Sequence, residues 1–344
     1  MQLIYLSIFL LFGLTSTVLQ AGEVRLFTWE GYFSDEILAD FEKQTGHTVK
    51  QIYFESESLR DDVVYSGKAS AYDLFILDGY TVKTFGEKGI LNAINPSLSS
   101  ELTYFSDGAK EACHQYGIPY SFGSIGIGYR SSKVAETFGS WMDVFDYAKE
   151  HPGKVVIPDE DMDTVAIALM ALGYHPMTNE ESELKEAYKL LNEVIGDLLV
   201  FRNSLGYAID EGTESVMDVA VFYSGETEQI SKTTGQDDWE YTIPREGTLL
   251  WYECFSSLAN KPLSQASLSF LQFISTPKNA IENAEKIWFA TANDRALTLA
   301  NDEYLNDTEL FPPAAEARQY YYYEPLDSNA LKIRGNIINV LSKE

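Results

Sequence analysis

The chain has 344 residues, of which 25 are Lys or Arg and 52 are Asp or Glu, so its formal net charge is −27 at pH 7. Hydrophobic residues make up 45% of the sequence, which argues against intrinsic disorder and fits one large or two medium domains. The excess of acids argues against nucleic-acid binding, which needs surplus Lys and Arg, and it favours a cationic partner.

The first 21 residues carry no charged side chain, and residues 3–14 form an apolar stretch that is short for a membrane span. Ala21 places a small residue before Gly22, as in a secretory signal, although no Lys or Arg precedes the apolar stretch. We therefore predict a signal peptide at 1–21 and a periplasmic mature chain. An uncleaved N-terminal anchor is the alternative.

The next part of the chain alternates strands and helices. Apolar runs typical of buried strands lie at residues 24–28, 49–54 and 72–77. Ser34 and Ser56 are placed to cap the helices between these strands, and a third helix is predicted at 81–88. This βαβαβα order predicts a sheet with parallel strands covered by helices.

A second unit of the same kind follows. Its predicted strands lie at 124–129, 154–157, 218–223 and, as one run, 247–258. Its predicted helices lie at 163–172, 181–191, 263–274, 278–286 and 329–341. Because no low-complexity linker separates the halves, we predict two α/β lobes joined by strands, with a cleft between them.

Cys113 and Cys254 are the only cysteines. An oxidising compartment permits a bridge between them, but two cysteines do not make a disulfide-dependent scaffold. We favour two separate buried thiols. The sequence contains no CxxC pair, which argues against a thiolate zinc site.

The search for catalytic motifs is mostly negative. The four histidines, His47, His114, His151 and His175, have no metal-binding spacing, and the sequence contains no GxSxG elbow, phosphate loop or dinucleotide fingerprint. We therefore predict a binding protein without catalytic residues, metal or cofactor. An extracytoplasmic carbohydrate enzyme that uses acid pairs is one alternative.

Aromatic residues stand beside acids where predicted strands end. These residues are Trp29, Glu30, Tyr32, Asp78, Tyr80, Glu160, Asp163, Tyr223, Trp251 and Glu253. Ligands of open α/β sheets bind outside the carboxyl ends of strands. Carboxylates accept charge-assisted hydrogen bonds from ammonium groups, and aromatic faces attract cations. The pattern predicts a site for a flexible organic cation.

Several segments, among them LFTWEGYFSDEILADFEKQTGHTV, AYDLFILDGYTV and EGTLLWYECFSSLAN, resemble the periplasmic spermidine/putrescine-binding proteins, the solute receptors of polyamine ABC transporters. The resemblance covers essentially the whole mature chain. It implies an α/β, two-lobed periplasmic solute-binding protein fold with hinge strands and a ligand cleft. Lobe one would comprise 22–125 plus 254–298, and lobe two 126–253 plus 299–344.

The resemblance also implies which residues bind the ligand. Aromatic contacts fall on Trp29, Tyr32, Tyr80, Tyr223 and Trp251. The acids that hold amine groups fall on Glu160, Asp163 and Glu253, whereas a family Tyr and a family Gln fall on Phe289 and near Tyr323.

The chain departs from the family pattern at its acids. Glu160 and Glu253 stand where the transport receptors have Asp, Asp163 where they have Glu, and Glu30 and Asp78 at positions that are usually small and neutral. The longer side chains of Glu160 and Glu253 shorten the distance between the amine sites. We therefore hypothesise a preference for norspermidine over spermidine.

Within the family, the chain is most similar to receptors that report norspermidine and spermidine to a membrane-bound cyclic-di-GMP enzyme. The implied function is a monomeric periplasmic polyamine receptor that closes on its ligand and signals to an inner-membrane partner controlling cyclic-di-GMP and biofilm formation. A solute-binding component that delivers spermidine or putrescine to an ABC permease is the alternative. A ferric-ion-binding protein is a third, because the four tyrosines at 320–323 carry hard oxygen ligands, although we favour an aromatic helix face there.

Overall fold

The computed structural model describes residues 21–135, 137–312 and 319–343. The predicted signal peptide therefore lies outside the described residues, except for Ala21. Across the described ranges, no helix is both long and apolar enough to cross a membrane.

The described residues form eleven strands in one mixed sheet. They are β1 (Glu23–Thr28), β2 (Thr48–Tyr53), β3 (Leu74–Asp78), β4 (Ile118–Arg130), β5 (Val155–Ile157), β6 (Val200–Phe201), β7 (Val219–Tyr223), β8 (Trp239–Thr242), β9 (Thr248–Ser256), β10 (Ala290–Thr291) and β11 (Tyr320–Tyr322). The strand order is β2-β1-β3-β9-β4-β7-β5-β6, with β8 and β10 paired with β4, and β11 paired with β9.

Fourteen α-helices lie within the same ranges. They are α1 (Asp35–Thr45), α2 (Glu57–Tyr65), α3 (Gly79–Glu87), α4 (Asp107–Ala112), α5 (Trp141–Glu150), α6 (Asp161–Ala171), α7 (Glu181–Val194), α8 (Ser204–Glu211), α9 (Glu226–Thr234), α10 (Gln265–Ser275), α11 (Pro277–Ile287), α12 (Asp294–Leu297), α13 (Asp302–Leu305) and α14 (Ser328–Leu341).

Parallel strands flank a central antiparallel pair. β1 pairs in parallel with β2 and β3, and β5 pairs in parallel with β6 and β7, which confirms the predicted parallel sheet. Between these groups, β4 and β9 run antiparallel to each other. The predicted strand at 124–129 is only the second half of β4, because an irregularity next to Pro119 interrupts the apolar pattern of its first half.

Side-chain caps fix where the first helices begin. The Ser34 hydroxyl accepts a hydrogen bond from the backbone N–H of Ile37, and the Ser56 hydroxyl accepts one from Leu59. Each bond satisfies a backbone donor that the first helical turn leaves without a partner. Both predicted caps are therefore confirmed, and they define the entry of α1 and α2 next to the ends of β1 and β2.

The apolar residues form separate cores on the two sides of the β4–β9 pair. Leu26 and Phe270 belong to a core beneath α1 and α10, whereas Trp141 and Ile167 belong to a larger core formed by α5, α6, α7 and α14. A smaller cluster packs Tyr304 against residues of α11.

The expectation of two separate thiols is wrong, because Cys113 and Cys254 form a disulfide. Both residues lie in one buried cluster, where the end of α4 contacts β9, and their Cα atoms are 5.8 Å apart. This distance is within the range that a disulfide spans. The two positions are 141 residues apart in sequence, so only the fold brings them together.

The expected aromatic helix face at 320–323 is also wrong. Tyr320–Tyr322 forms β11, which pairs in parallel with Thr248–Leu250 of β9. The pairing of β3 with β9 involves only Glu253–Ser256, so the first residues of β9 have a free edge on that side. Tyrosine favours strands, and this edge supplies the partner. Successive side chains of a strand point to opposite faces, so the tyrosines of β11 do not converge on one ion.

Candidate ligand-binding site

A cavity of about 610 Å³ lies where the ends of several strands meet. Its volume is within the range of small-molecule sites, roughly 300–1,000 Å³. The cavity wall includes all twelve residues singled out from the sequence, namely Trp29, Glu30, Tyr32, Asp78, Tyr80, Glu160, Asp163, Tyr223, Trp251, Glu253, Phe289 and Tyr323. The structure therefore brings every one of these positions together, and their contacts with a ligand stay a prediction.

Strand geometry explains why the aromatic and acidic residues of β9 face the same cavity. Trp251 and Glu253 are two residues apart on this strand, and side chains at that spacing lie on one face. Asp78 at the end of β3 is the direct cross-strand neighbour of Glu253. Trp29 follows β1, and Tyr223 is the last residue of β7.

The first turn of α6 supplies two further carboxylates. Glu160 is the N-cap residue of this helix, and Asp163 is its third residue. Both side chains are buried. The N-terminal end of a helix stabilises negative charge, because its backbone N–H groups point toward it. Burial, followed in importance by the charge of Asp163, raises the pKa of Glu160 well above its usual value.

Two tyrosine hydroxyls hold Asp163. Tyr223 donates a hydrogen bond of 2.7 Å to Oδ2, and Tyr323 donates one of 2.5 Å to Oδ1. Burial raises the pKa of Asp163 to about 6, against the lowering effect of these two bonds. Asp163 is therefore mainly ionised at neutral pH, without a cation in direct contact among the described residues.

Glu253 has a different environment. Its Oε1 accepts a hydrogen bond of 3.2 Å from Nε1 of Trp29, whereas its Oε2 has no hydrogen-bond partner among the described residues. The residue is 5% exposed. Burial, and then the charge of Asp78, raises the pKa of Glu253 to about 8. A buried carboxyl oxygen without a hydrogen-bond partner lowers the stability of the folded state. Glu253 is therefore a candidate for contact with a ligand.

Asp78 lines the cavity, but protein groups already contact both of its oxygens. Its Oδ1 accepts a hydrogen bond of 2.8 Å from the backbone N–H of Thr81, as the N-cap of α3. Its Oδ2 is 2.9 Å from Nη2 of Arg60, a buried cation that the sequence interpretation missed. The spacing of Arg60 and Val64, four residues apart on the buried face of α2, is the signal that was available.

Further acids at the cavity were missed as site residues, among them Glu57 and Glu226. Glu57 opens α2, and its backbone N–H lies 3.4 Å from Oε1 of Glu160. Glu226 opens α9, is buried, and accepts a hydrogen bond of 3.0 Å from the backbone N–H of Tyr223. Burial raises the pKa of Glu226 to about 8.

Aromatic rings form a continuous arc along the cavity wall. The Trp251 ring meets Tyr223 and Phe289 edge-to-face, with centroids 6.4 and 6.1 Å apart. Phe289 in turn meets Tyr32 at 5.1 Å. Such rings pack against methylene groups and attract cations through their faces.

The charge of the cavity wall is strongly negative. Ten of its described residues are acids, namely Glu30, Glu55, Glu57, Asp78, Asp159, Glu160, Asp163, Asp210, Glu226 and Glu253. Among the described residues that line it, Arg202 is the only cation, and it pairs with Asp210 at 2.8 Å. Acids that surround aromatic rings are suited to an elongated organic cation rather than an anion.

The chain is similar to known bacterial binding proteins. A family model for the bacterial extracellular solute-binding proteins matches residues 36–312. The norspermidine sensor of Vibrio cholerae is 25% identical over 322 residues, which cover 93% of this chain and 88% of the sensor. The spermidine/putrescine-binding periplasmic protein of Escherichia coli (strain K12) is 25% identical over 296 residues, which cover 84% of this chain and 82% of that protein.

A solved structure has the same fold. The spermidine/putrescine ABC transporter substrate-binding protein of Streptococcus pneumoniae superposes with a TM-score of 0.74 at 21% identity, covering 94% of this chain and 99% of that chain. The predicted α/β solute-binding fold and the predicted resemblance to the spermidine/putrescine-binding proteins are therefore confirmed. The chain belongs to the bacterial extracellular solute-binding protein family.

Proposed function

We propose that the chain is a periplasmic polyamine-binding receptor whose cavity holds norspermidine or spermidine. The observation that carries this proposal is the buried Glu253, whose Oε2 lacks a partner among the described residues of an acidic, aromatic cavity. A ligand ammonium supplies both the hydrogen-bond donor and the countercharge that this carboxyl needs.

We place Glu253 and the Glu160–Asp163 pair at the two ends of the ligand and call them the two acidic ends of the cavity. Glu253 and the Glu160–Asp163 pair belong to different elements, β9 and the start of α6, with the ring of Trp251 also on the wall. A ligand with amine groups joined by methylenes satisfies both ends and packs its methylenes on the arc of rings. The chain would bind such a ligand without changing it chemically.

We also propose that the ligand closes two lobes. The predicted division assigns Glu57 to lobe one (22–125 plus 254–298) and Glu160 to lobe two (126–253 plus 299–344), and the contact between these residues supports a cleft that shuts at this point. β4 and β9 would be the hinge strands. The packing of Tyr304 on α11 favours moving residues 299–312 to lobe one.

For the role in the cell, we propose that the closed form signals to an inner-membrane partner that controls cyclic-di-GMP and biofilm formation. The relative named as a norspermidine sensor aligns with 93% of this chain and the Escherichia coli receptor with 84%, which favours sensing. Delivery to an ABC permease is the second candidate, supported by the similarity to the spermidine/putrescine-binding periplasmic protein of Escherichia coli. Deleting the gene and measuring biofilm mass and radiolabelled spermidine uptake separates the two roles.

A thermal-shift screen of the purified protein against amines, amino acids, sugars and metal ions tests the proposed ligand class. We expect norspermidine and spermidine to raise the melting temperature, because a ligand that binds only the folded state stabilises it. Glu253→Gln should reduce this shift, whereas Glu42→Gln, an exposed position on α1, should keep it. Stabilisation by a sugar or a metal ion alone would contradict the proposal.

A further inference from the structure

Arg60 is a fully buried cation directly behind the acidic wall of the cavity, with a side chain that is 0% exposed. It contacts Asp78 at 2.9 Å, Asp61 at 3.0 Å, Thr81 Oγ1 at 3.1 Å and Glu57 at 3.4 Å, and its guanidinium lies 5.6 Å from the Phe54 ring centroid. A buried charge costs several kcal/mol unless it is paired, so these contacts bind Arg60 to its acids.

The position of Asp78 explains why a cation is needed there. Asp78 and Glu253 are directly opposite each other in the antiparallel β3–β9 pair. Like charges directly opposite on adjacent strands repel each other, and this repulsion acts once a bound ammonium group ionises Glu253. The contact between Arg60 and Asp78 offsets this repulsion from the side away from the cavity.

The same contact decides which carboxylate is left for a ligand. Thr81 and Arg60 contact the two oxygens of Asp78, whereas Oε2 of Glu253 has no partner among the described residues. Of the two opposed acids, Glu253 is therefore the one with an oxygen available to an ammonium group.

We propose that Arg60 is a specificity-determining positioning residue: it neutralises Asp78, so that this end of the cavity presents one anchoring carboxylate, Glu253, and accepts one ammonium group. This inference rests on the proposed polyamine function and adds to it a limit on the number of ligand charges. Arg60 does not line the cavity itself. It acts through Asp78, at 2.9 Å, and less closely through Glu57, at 3.4 Å, both of which line the cavity.

Two ligands of equal length isolate a single charge. Norspermidine and 1,7-diaminoheptane have the same number of chain atoms between their terminal amines, and they differ in a central NH that replaces a CH₂ group. The ratio of their dissociation constants therefore reports the charge balance of the cavity. A variant that only loosens the fold weakens both ligands together and leaves the ratio unchanged.

Calorimetric titration of four proteins tests the proposal. We expect Arg60→Gln to shift the ratio toward norspermidine by roughly tenfold, because one net negative charge is added near the ligand. Asp78→Asn, which keeps a good helix N-cap, should shift it toward the diamine. The double variant should return it to within about threefold of the wild-type ratio, since the two charge changes cancel.

The controls separate charge from structure. Arg60→Lys keeps the positive charge and should keep the wild-type ratio, even where both affinities fall. Should Arg60→Gln not fold, the opposite shift in Asp78→Asn decides the proposal. An unchanged ratio in Asp78→Asn, or equal losses for both ligands in Arg60→Gln, would overturn it. Wild-type protein that binds neither amine would instead refute the proposed polyamine function.

Discussion

The carboxyl groups at the two acidic ends of the cavity differ in their hydrogen bonds and in their pKa values. Asp163 accepts hydrogen bonds from the hydroxyls of Tyr223 and Tyr323, and its pKa is about 6. Glu253 accepts one hydrogen bond from Trp29, has an unpartnered Oε2 among the described residues, and has a pKa of about 8. Burial is the largest cause of the raised pKa at both residues, and the two sites also differ in their hydrogen-bond donors and neighbouring charges.

This comparison shows that a buried carboxylate does not need a cation to stay ionised at neutral pH. At Asp163 the two hydroxyl donors act against burial, and the pKa is about 6. At Glu253 burial and the charge of Asp78 outweigh the lowering effects of Arg60 and of the donors Trp29 and Tyr32. Before a ligand binds, one end of the cavity is charged and the other is mainly protonated. We infer that an incoming ammonium group ionises Glu253 and displaces its proton.

The largest predicted effect is the loss of polyamine affinity in Asp163→Asn. Asp163 is ionised beforehand, so its removal should cost the whole charge interaction, about 2–5 kcal/mol. Glu253→Gln should cost less, because part of the attraction in the wild type is used to remove a proton. Titration calorimetry at pH 7 measures the loss of binding free energy in both variants, with Glu42→Gln as the control. A larger loss of affinity in Glu253→Gln than in Asp163→Asn would contradict this prediction.

The arc of aromatic rings on the cavity wall gives the next prediction. Trp251 is buried and shares the arc with Tyr223 and Phe289, so Trp251→Ala should cost about 1–3 kcal/mol of binding free energy. Tyr322→Ala is the matched control, because Tyr322 is 58% exposed and is not part of the cavity wall. Equal affinities in the two variants would show that Trp251 does not contact the ligand.

The side-chain lengths of Glu160 and Glu253 predict the preferred ligand length. Because Glu160 and Glu253 extend their carboxyls one methylene further than the family's Asp, norspermidine should bind more tightly than spermidine, by roughly tenfold for one methylene. Calorimetry under matched conditions compares the two triamines. Glu160→Asp or Glu253→Asp should reduce the difference in affinity between the two triamines. Tighter binding of spermidine than of norspermidine by the wild type would refute this prediction.

The last prediction concerns the pH dependence of stability. Because the pKa of Glu253 is about 8 when folded, against a usual value of 4.5, the folded state binds more protons than the unfolded state between these values. The ligand-free protein should therefore lose stability as pH rises through this window. Thermal denaturation at pH 5.5, 7 and 8.5 should show a flatter profile for Glu253→Gln, and parallel profiles would show that Glu253 has an ordinary pKa.

The sequence predicts the cavity wall well because strand ends are local features. Apolar runs followed by Trp29 and Asp78 place these residues at the carboxyl ends of the parallel strands β1 and β3. The run before Tyr223 marks the end of β7, which lies beyond the β4–β9 pair and runs in the opposite direction. The resemblance to a known family added Phe289 and Tyr323, which no local pattern marks.

The features that the sequence did not predict depend on long-range packing. A charged residue on a short helix is expected to face water, yet Arg60 points inward because Asp78, 18 residues later, supplies its partner. The bridge from Cys113 to Cys254 and the strand at Tyr320–Tyr322 likewise require β9 as a neighbour. The helical spacing of Arg60 and Val64 indicates only that Arg60 lies on the buried face of α2, and no sequence pattern identifies the partner in any of these three contacts.

The most direct measurement is a calorimetric titration of the protein with norspermidine at pH 7, repeated in buffers with different ionisation enthalpies. We expect one ligand per chain and the release of about one proton, which comes mainly from Glu253 and disappears in Glu253→Gln. Binding without proton release would contradict the assigned difference between the two ends. The absence of any binding heat in every buffer, with no rise in melting temperature, would contradict the proposed polyamine site itself.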